Sequence, residues 1–221
     1  MKKNLIFLLV FVLAVTTGFW FTKLETSKTI IKPTQQKQPP PSTTTPAPEI
    51  KAKIPKLELM APTVTIKLRN EPGTVNARRA AQIVNETILK PGEIFSYNKI
   101  VGERTLEKGF VVGSLPIKDV DGTIKNIKSV GSGICRLSVG LATAAKKNNL
   151  QQIEITRHEF TPYYFETNKD QNLVDATIYW GNGTEPLIDN KFKNNKNFDI
   201  QIKCDVDSDS ILHVSFYKLI Y

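Results

Sequence analysis

The chain has 221 residues, two cysteines and a formal net charge of +9. Two cysteines exclude a disulfide-built scaffold, although a single extracellular bridge between Cys135 and Cys204 is chemically allowed. The charge gives no nucleic-acid footprint, because residues 1–56 carry nine lysines against two glutamates, a net of +7, and the remainder only +2, with no interleaved basic–aromatic motif.

Met1-Lys2-Lys3-Asn4 is short and basic, and Leu5 to Phe21 is almost wholly apolar and uncharged. Such a run rises about 26 Å as a helix, near the short limit for crossing a bilayer. The basic start predicts that this end stays in the cytoplasm, with Trp20 and Phe21 at the far interface. Residues 1–22 therefore read as a single-pass anchor in the cytoplasmic membrane. The weak Ala14–Gly18 pattern leaves a cleaved signal segment as the alternative. Residues 23–56 form a Pro/Thr/Lys-rich tether, and eight of the thirteen prolines fall between Pro33 and Pro62. That composition predicts an extended, solvated spacer of polyproline character, able to lie along anionic lipid or wall polymer.

Residues 57–221 are enough for one core without staples. Val64–Leu68 alternates as a strand. Asn76–Leu89 reads as a helix with Ala77, Ala81, Val84 and Ile88 on one face, ended by Lys90-Pro91-Gly92. A short hairpin is expected around Asp121-Gly122. A second helix spans Cys135–Asn148, with Leu137, Leu141, Ala144 and Ala145 inward. The period then changes to two. Gln152–Phe160, Leu173–Trp180, Phe198–Val206 and Ile211–Ile220 read as strands, the last two as an antiparallel hairpin. The fold class is α+β, a single domain with N-terminal helices and a mostly antiparallel C-terminal sheet, behind a membrane anchor and Pro-rich tether.

Several blocks occur in order. They are Asn76-Ala77-Arg78-Arg79, Lys90 through Asn98, Val101-Gly102-Glu103-Arg104-Thr105, Lys108-Gly109-Phe110, Gly131-Ser132-Gly133-Ile134-Cys135, Arg157-His158, Asp175-Ala176-Thr177 and Phe192-Lys193-Asn194-Asn195. This series resembles the VanW-like family, that of the accessory W protein of B-type vancomycin resistance clusters. The resemblance implies a bacterial, envelope-exposed protein and assigns no reaction. Relative to the family pattern, Ser132 replaces a middle glycine and Arg136 a glutamine. Phe160-Thr161 stands where a histidine-serine pair is usual, and His158 matches a more variable histidine two residues earlier.

Cys135 is the most informative residue. A thiol behind glycines at a helix start meets backbone amides that favour a thiolate and hold an oxyanion. The competing reading is a small buried residue. His158 is the candidate base and Asp175 the candidate orienting carboxylate. The order Cys–His–Asp is similar to that of transglutaminase-like and papain-like cysteine hydrolases. In a continuous strand His158 and Phe160 would share one face about 7 Å apart, so His158 reaches Cys135 only if the strand bends. If the family position holds the working base, Phe160 has removed it. Arg104, Arg136 and Arg157, with Arg78 and Arg79, are candidates for pairing with carboxylates of wall stem peptides; scattered surface charge is the alternative. The two histidines lie 55 residues apart and match no metal spacing, and no nucleotide fingerprint occurs, so no cofactor is expected. Three functions stand. The first is a module that binds peptidoglycan or another envelope partner without turnover. The second is a degenerate member that lost an activity with Phe160. The third is a cysteine-dependent amidase or transpeptidase acting on cell-wall peptides.

Overall fold

The computed structural model describes residues 54–69, 71–181 and 187–221. The expected anchor and nearly all of the expected tether lie outside the described residues, and no helix among the described residues is long and apolar enough to cross a membrane. The architecture is α+β. A five-stranded sheet contains β1 (Lys56–Leu59), β2 (Val64–Lys67), β3 (Ile88–Leu89), β9 (Ile200–Val206) and β10 (Ile211–Ile220). The order is β1-β10-β9-β3, with β2 also on β10, and every pairing is antiparallel. β10 takes β2 along its first half and β1 along its second, on the same edge. A second sheet runs β4 (Ile94–Ser96), β8 (Lys191–Lys193), β7 (Gln151–Glu154). The expected hairpin is longer than its turn signal alone suggested, pairing β5 (Val112–Lys118) with β6 (Ile124–Val130).

The sheet is covered by α1 (Pro72–Val84) and α3 (Cys135–Lys147), which pack on β9 and on β10 with β2 respectively. Pro72 sits in the first turn of α1, where its missing N–H costs nothing. The helix stops five residues before the expected Leu89. Glu86 turns into a left-handed conformation (φ +68°), and Thr87 Oγ1 donates to Val84 O at 2.6 Å. Ile88 and Leu89 then pair with Gln201 and Ile200. Sheet pairing overrides an apolar period that could have continued as helix.

α3 begins where the sequence predicts and is nearly all buried, including Leu137, Leu141, Ala144 and Ala145. Gly140 lets it lie close to the sheet, since a Cβ there would meet Val214 Cγ2 at 2.9 Å. Lys146 and Lys147 close the helix at its negative end. Phe192 joins the two sheets, stacked on Phe95 at 4.5 Å and tilted against Phe216 at 5.6 Å. α2 (Tyr97–Val101) and α4 (Tyr163–Thr167) are single turns. Of the expected strand Gln152–Phe160 only the start is strand. Leu173–Trp180 contributes two isolated bridges, Thr156 to Thr177 and Tyr179 to Ile188.

Candidate active site

Three pieces of chain converge on the head of α3. The first is the turn Gly131–Ile134. Gly131 and Gly133 have φ values of +77° and +92°, which strain any side chain. A Cβ on Gly133 would also lie 2.5 Å from Gly73 Cα, so the turn needs glycine there to meet α1. Asn76, buried on α1, donates from Nδ2 to Ser132 O and to Val111 O, each at 2.9 Å. Its Oδ1 accepts from Val111 N at 2.7 Å. The Tyr97 hydroxyl donates to Ile134 O at 3.3 Å. Cys135 then opens α3 with no side-chain cap. Arg136 and Leu137 donate back to Gly133 and Ile134, which leaves the Cys135 amide at the positive end of the helix.

The second and third pieces are the stretches that follow β7 and α4. Thr177 N donates to Thr156 O at 2.8 Å in an antiparallel bridge. Continuing that register by two residues sets His158 opposite Asp175. Asp175 Oδ1 takes His158 Nδ1 at 2.5 Å, and Oδ2 accepts the His158 backbone N–H at 3.1 Å. Val174 N donates to Thr143 Oγ1 at 2.9 Å, pinning this stretch to α3. Two and three residues after Asp175, Thr177 Oγ1 and Ile178 O lie 3.6 and 3.7 Å from Cys135 Sγ.

His158 couples electrostatically to both Asp175 and the thiol. Asp175 takes Nδ1, which leaves Nε2 for the thiol. Burial pushes the half-buried Cys135 thiol up, but the hydrogen bond and charge of His158 outweigh it and hold the thiol below its ordinary range. Burial likewise pulls His158 down, and Cys135 and then Asp175 more than restore it, so the imidazole is held above its ordinary value. The two directions together favour a thiolate–imidazolium pair. Cys204 is the contrast. Buried on β9 with Sγ donating to Ala81 O at 3.4 Å, its thiol is pushed up to about 12 by desolvation. Both thiols are free.

The VanW like protein family matches residues 73–217. The chain belongs to the VanW-like family. It is 29% identical over 134 residues to Uncharacterized protein YoaR of Bacillus subtilis (strain 168), a match that covers 61% of this chain and 39% of that protein. The chain thus spans well under half the length of that relative. No solved structure matches it.

The VanW-like blocks take on physical meaning at this site. Ser132 is accommodated between the two glycines because its own φ is not left-handed. Its buried Oγ has no hydrogen-bond partner. Arg136, at the glutamine position, is buried and forms an ion pair with Glu71. Glu71 also accepts from the Tyr163 hydroxyl at 3.0 Å. Phe160 lies in a bend beyond the end of strand pairing, half-buried. The expected obstacle to His158 was a continuous strand, and the chain leaves β7 at Glu154 instead.

The arginines separate into distinct environments. Arg78 donates to Val206 O and Asp207 O at 2.5 and 3.0 Å, closing the β9–β10 hairpin. Arg79 donates to Lys108 O at 2.6 Å. Both are engaged with backbone carbonyls. Arg157 is exposed and lines an open cavity of about 740 Å³ with Lys146, Ile155, Phe165, Leu173 and Asp175. Arg104 is buried within the site wall, with Nη2 donating to Asn98 Oδ1 at 2.7 Å. Thr177 and Thr143 were missed as site residues. The sequence signals for Thr177 were its place in the block Asp175-Ala176-Thr177 and the face it shares with Asp175. Asn98, inside a recognised block, is a hub that donates to Tyr179 O and Ile188 O at 3.1 and 2.9 Å.

Proposed function

We propose that this VanW-like domain is a cysteine acyltransferase, a peptide amidase or transpeptidase, with Cys135 as nucleophile, His158 as acid and base, and Asp175 as the group that orients the imidazole. One observation carries the reading: Asp175 holds His158 by its Nδ1 and its backbone N–H, and His158 draws the Cys135 thiol below its ordinary range. The Cys135 thiolate attacks a peptide carbonyl carbon. The oxyanion that forms is met by the amide at the head of α3. His158 gives its proton to the departing amine as the tetrahedral intermediate collapses to a thioester. Water or an incoming amine then attacks the thioester, His158 takes the attacker's proton, and the thiolate is released.

The substrate we assign is a cell-wall peptide outside the cytoplasmic membrane. The basic start and apolar run at residues 2–21, the tether behind them and the family membership support this placement. Binding of peptidoglycan or another envelope partner without turnover is the second reading. It is supported by Phe160 at the usual histidine position and by the open cavity beside Arg157. The two readings separate on reaction with p-nitrophenyl acetate, a generic acyl donor. The acyltransferase gives a burst of nitrophenolate and an acetyl adduct on Cys135 that His158→Gln slows. Absence of the adduct on Cys135, with the protein folded, favours binding without turnover.

A further inference from the structure

Two buried arginines flank the head of α3, and they differ in one respect. Arg136 has its own carboxylate, Glu71. Arg104 has none. It is 9% exposed, and, as in Arg136, its Nε and Nη1 are buried without a hydrogen-bond partner. The nearby Asp189 carboxylate is spent on Ser96 Oγ at 2.6 Å and on the amides of Asn98 and Asn190 at 2.9 and 2.8 Å. Burying a guanidinium without an anion is costly, and a fold that needed Arg104 only for packing would be served by an apolar residue of the same size.

We propose that Arg104 is the subsite for a substrate carboxylate beside Cys135, so that the peptides processed carry a free carboxylate on the residue adjoining the scissile carbonyl. This rests on Cys135 being the nucleophile. The placement follows from contacts. The Arg104 stem lies on Gly131, where a Cβ would come within 2.6 Å of Arg104 Cβ, on the same turn that leads into Cys135. The guanidinium carbon stands 5.6 Å from the centre of the Tyr97 ring and 5.5 Å from that of Trp180. The rings hold it by cation–π attraction and leave two of its nitrogens, Nε and Nη1, without an acceptor. The Tyr97 hydroxyl reaches Ile134 O, directly before the nucleophile. Asn98, which fixes Nη2, also binds Tyr179 O, directly after the residue whose carbonyl meets the thiol. Arg104 is thus mounted on both segments that position Cys135. Burial lowers its pKa, and the charges of Tyr97 and then Cys135 act in the opposite direction. A carboxylate beside the scissile bond would accept a charge-assisted hydrogen bond from a guanidinium nitrogen that the folded chain leaves without an acceptor.

The test uses the full chain carrying Cys204→Ala and two reagents of equal size, iodoacetate and iodoacetamide. Each alkylates a thiolate and releases iodide, and only the first carries a carboxylate. Their rate ratio at Cys135 cancels any change in thiolate content. The ratio should fall about tenfold in Arg104→Gln and partly recover in Arg104→Lys. On the Arg104-containing chain alone, N-acetylalanine should protect Cys135 from iodoacetamide and its amide should not. Protection by N-acetylaspartate α-amide instead would support the subsite and assign it to a side-chain carboxylate rather than a chain terminus. A ratio unchanged by Arg104→Gln, or equal protection by acid and amide, overturns the subsite while leaving the nucleophile standing. Inertness of Cys135 to both reagents overturns the nucleophile and the subsite with it.

Discussion

Replacing Asp175 with asparagine keeps the shape of the side chain and removes its charge. Asp175 contacts His158 at 2.5 Å through Nδ1 and at 3.1 Å through the backbone N–H. The two side chains are only 14% and 23% exposed, so solvent screens the contact little. The carboxamide oxygen still accepts one hydrogen bond, and the charge-assisted part is lost. A hydrogen bond to a charged group contributes about 1.5–3 kcal/mol. At about 1.4 kcal/mol per factor of ten, the thiolate–imidazolium form falls roughly ten- to hundredfold against the neutral pair. The assay is the iodoacetamide rate at Cys135 against pH in a Cys204→Ala chain. Near neutrality Asp175→Asn should be slower by that factor, and at alkaline pH the two proteins should converge, because the thiolate there no longer depends on His158. Equal rates at neutral pH in two folded proteins would refute the coupling. The same change shows in stability. His158 is held above its ordinary value, so the stability it contributes is complete below that ordinary value and is lost as pH rises through the raised one. Thermal melts of the parent and Asp175→Asn should therefore draw together on the alkaline side.

Other substitutions test the scaffold. Gly133→Ala sets a side chain at φ +92° and 2.5 Å from Gly73 Cα, and should cost about 2–4 kcal/mol by denaturant titration. Gly113→Ala would meet Ser132 Oγ at 2.1 Å. Ser132→Ala removes that unpartnered hydroxyl and should rescue it, and alone should be neutral or stabilising by up to about 1 kcal/mol. Glu71→Gln leaves the Arg136 charge buried and should cost about 3–5 kcal/mol. Arg136→Gln should cost less, since the Glu71 side chain is 37% exposed and can rehydrate. In the folded protein Cys204, pushed up to about 12, should resist alkylation at pH values where Cys135 reacts, read by peptide mass mapping.

Local pattern made much of the fold legible. Cys135–Lys147 and the β9–β10 hairpin follow directly from apolar spacing, because their periods are long and their ends are marked by glycine and by Asp-Ser turns. The end of α1 at Val84 did not show, because Thr87-Ile88-Leu89 suits helix and strand equally and only β9 decides between them. The site was half legible. Cys135 announces itself through Gly131 and Gly133, and His158 and Asp175 through residue type. What brings them together is register, the single bridge from Thr156 to Thr177 that sets His158 across from Asp175. Register is fixed by contacts distant in sequence, and a chain read as one straight strand to Phe160 sets the imidazole about 7 Å along the same face from the usual histidine position. Arg78, Arg79 and Arg136 look alike as free cations in the sequence. Only packing reveals that the first two hold carbonyls and the third holds Glu71.

The most direct measurement is the ultraviolet titration of the Cys135 thiolate, taken as the difference between the Cys204→Ala chain and the same chain with Cys135→Ala, and repeated with His158→Gln. With a prepared nucleophile, thiolate absorbance rises at pH values below the ordinary thiol range and shifts back into that range when His158 is replaced. A thiol that titrates in the ordinary range or above it in both proteins contradicts the pairing of Cys135 with His158.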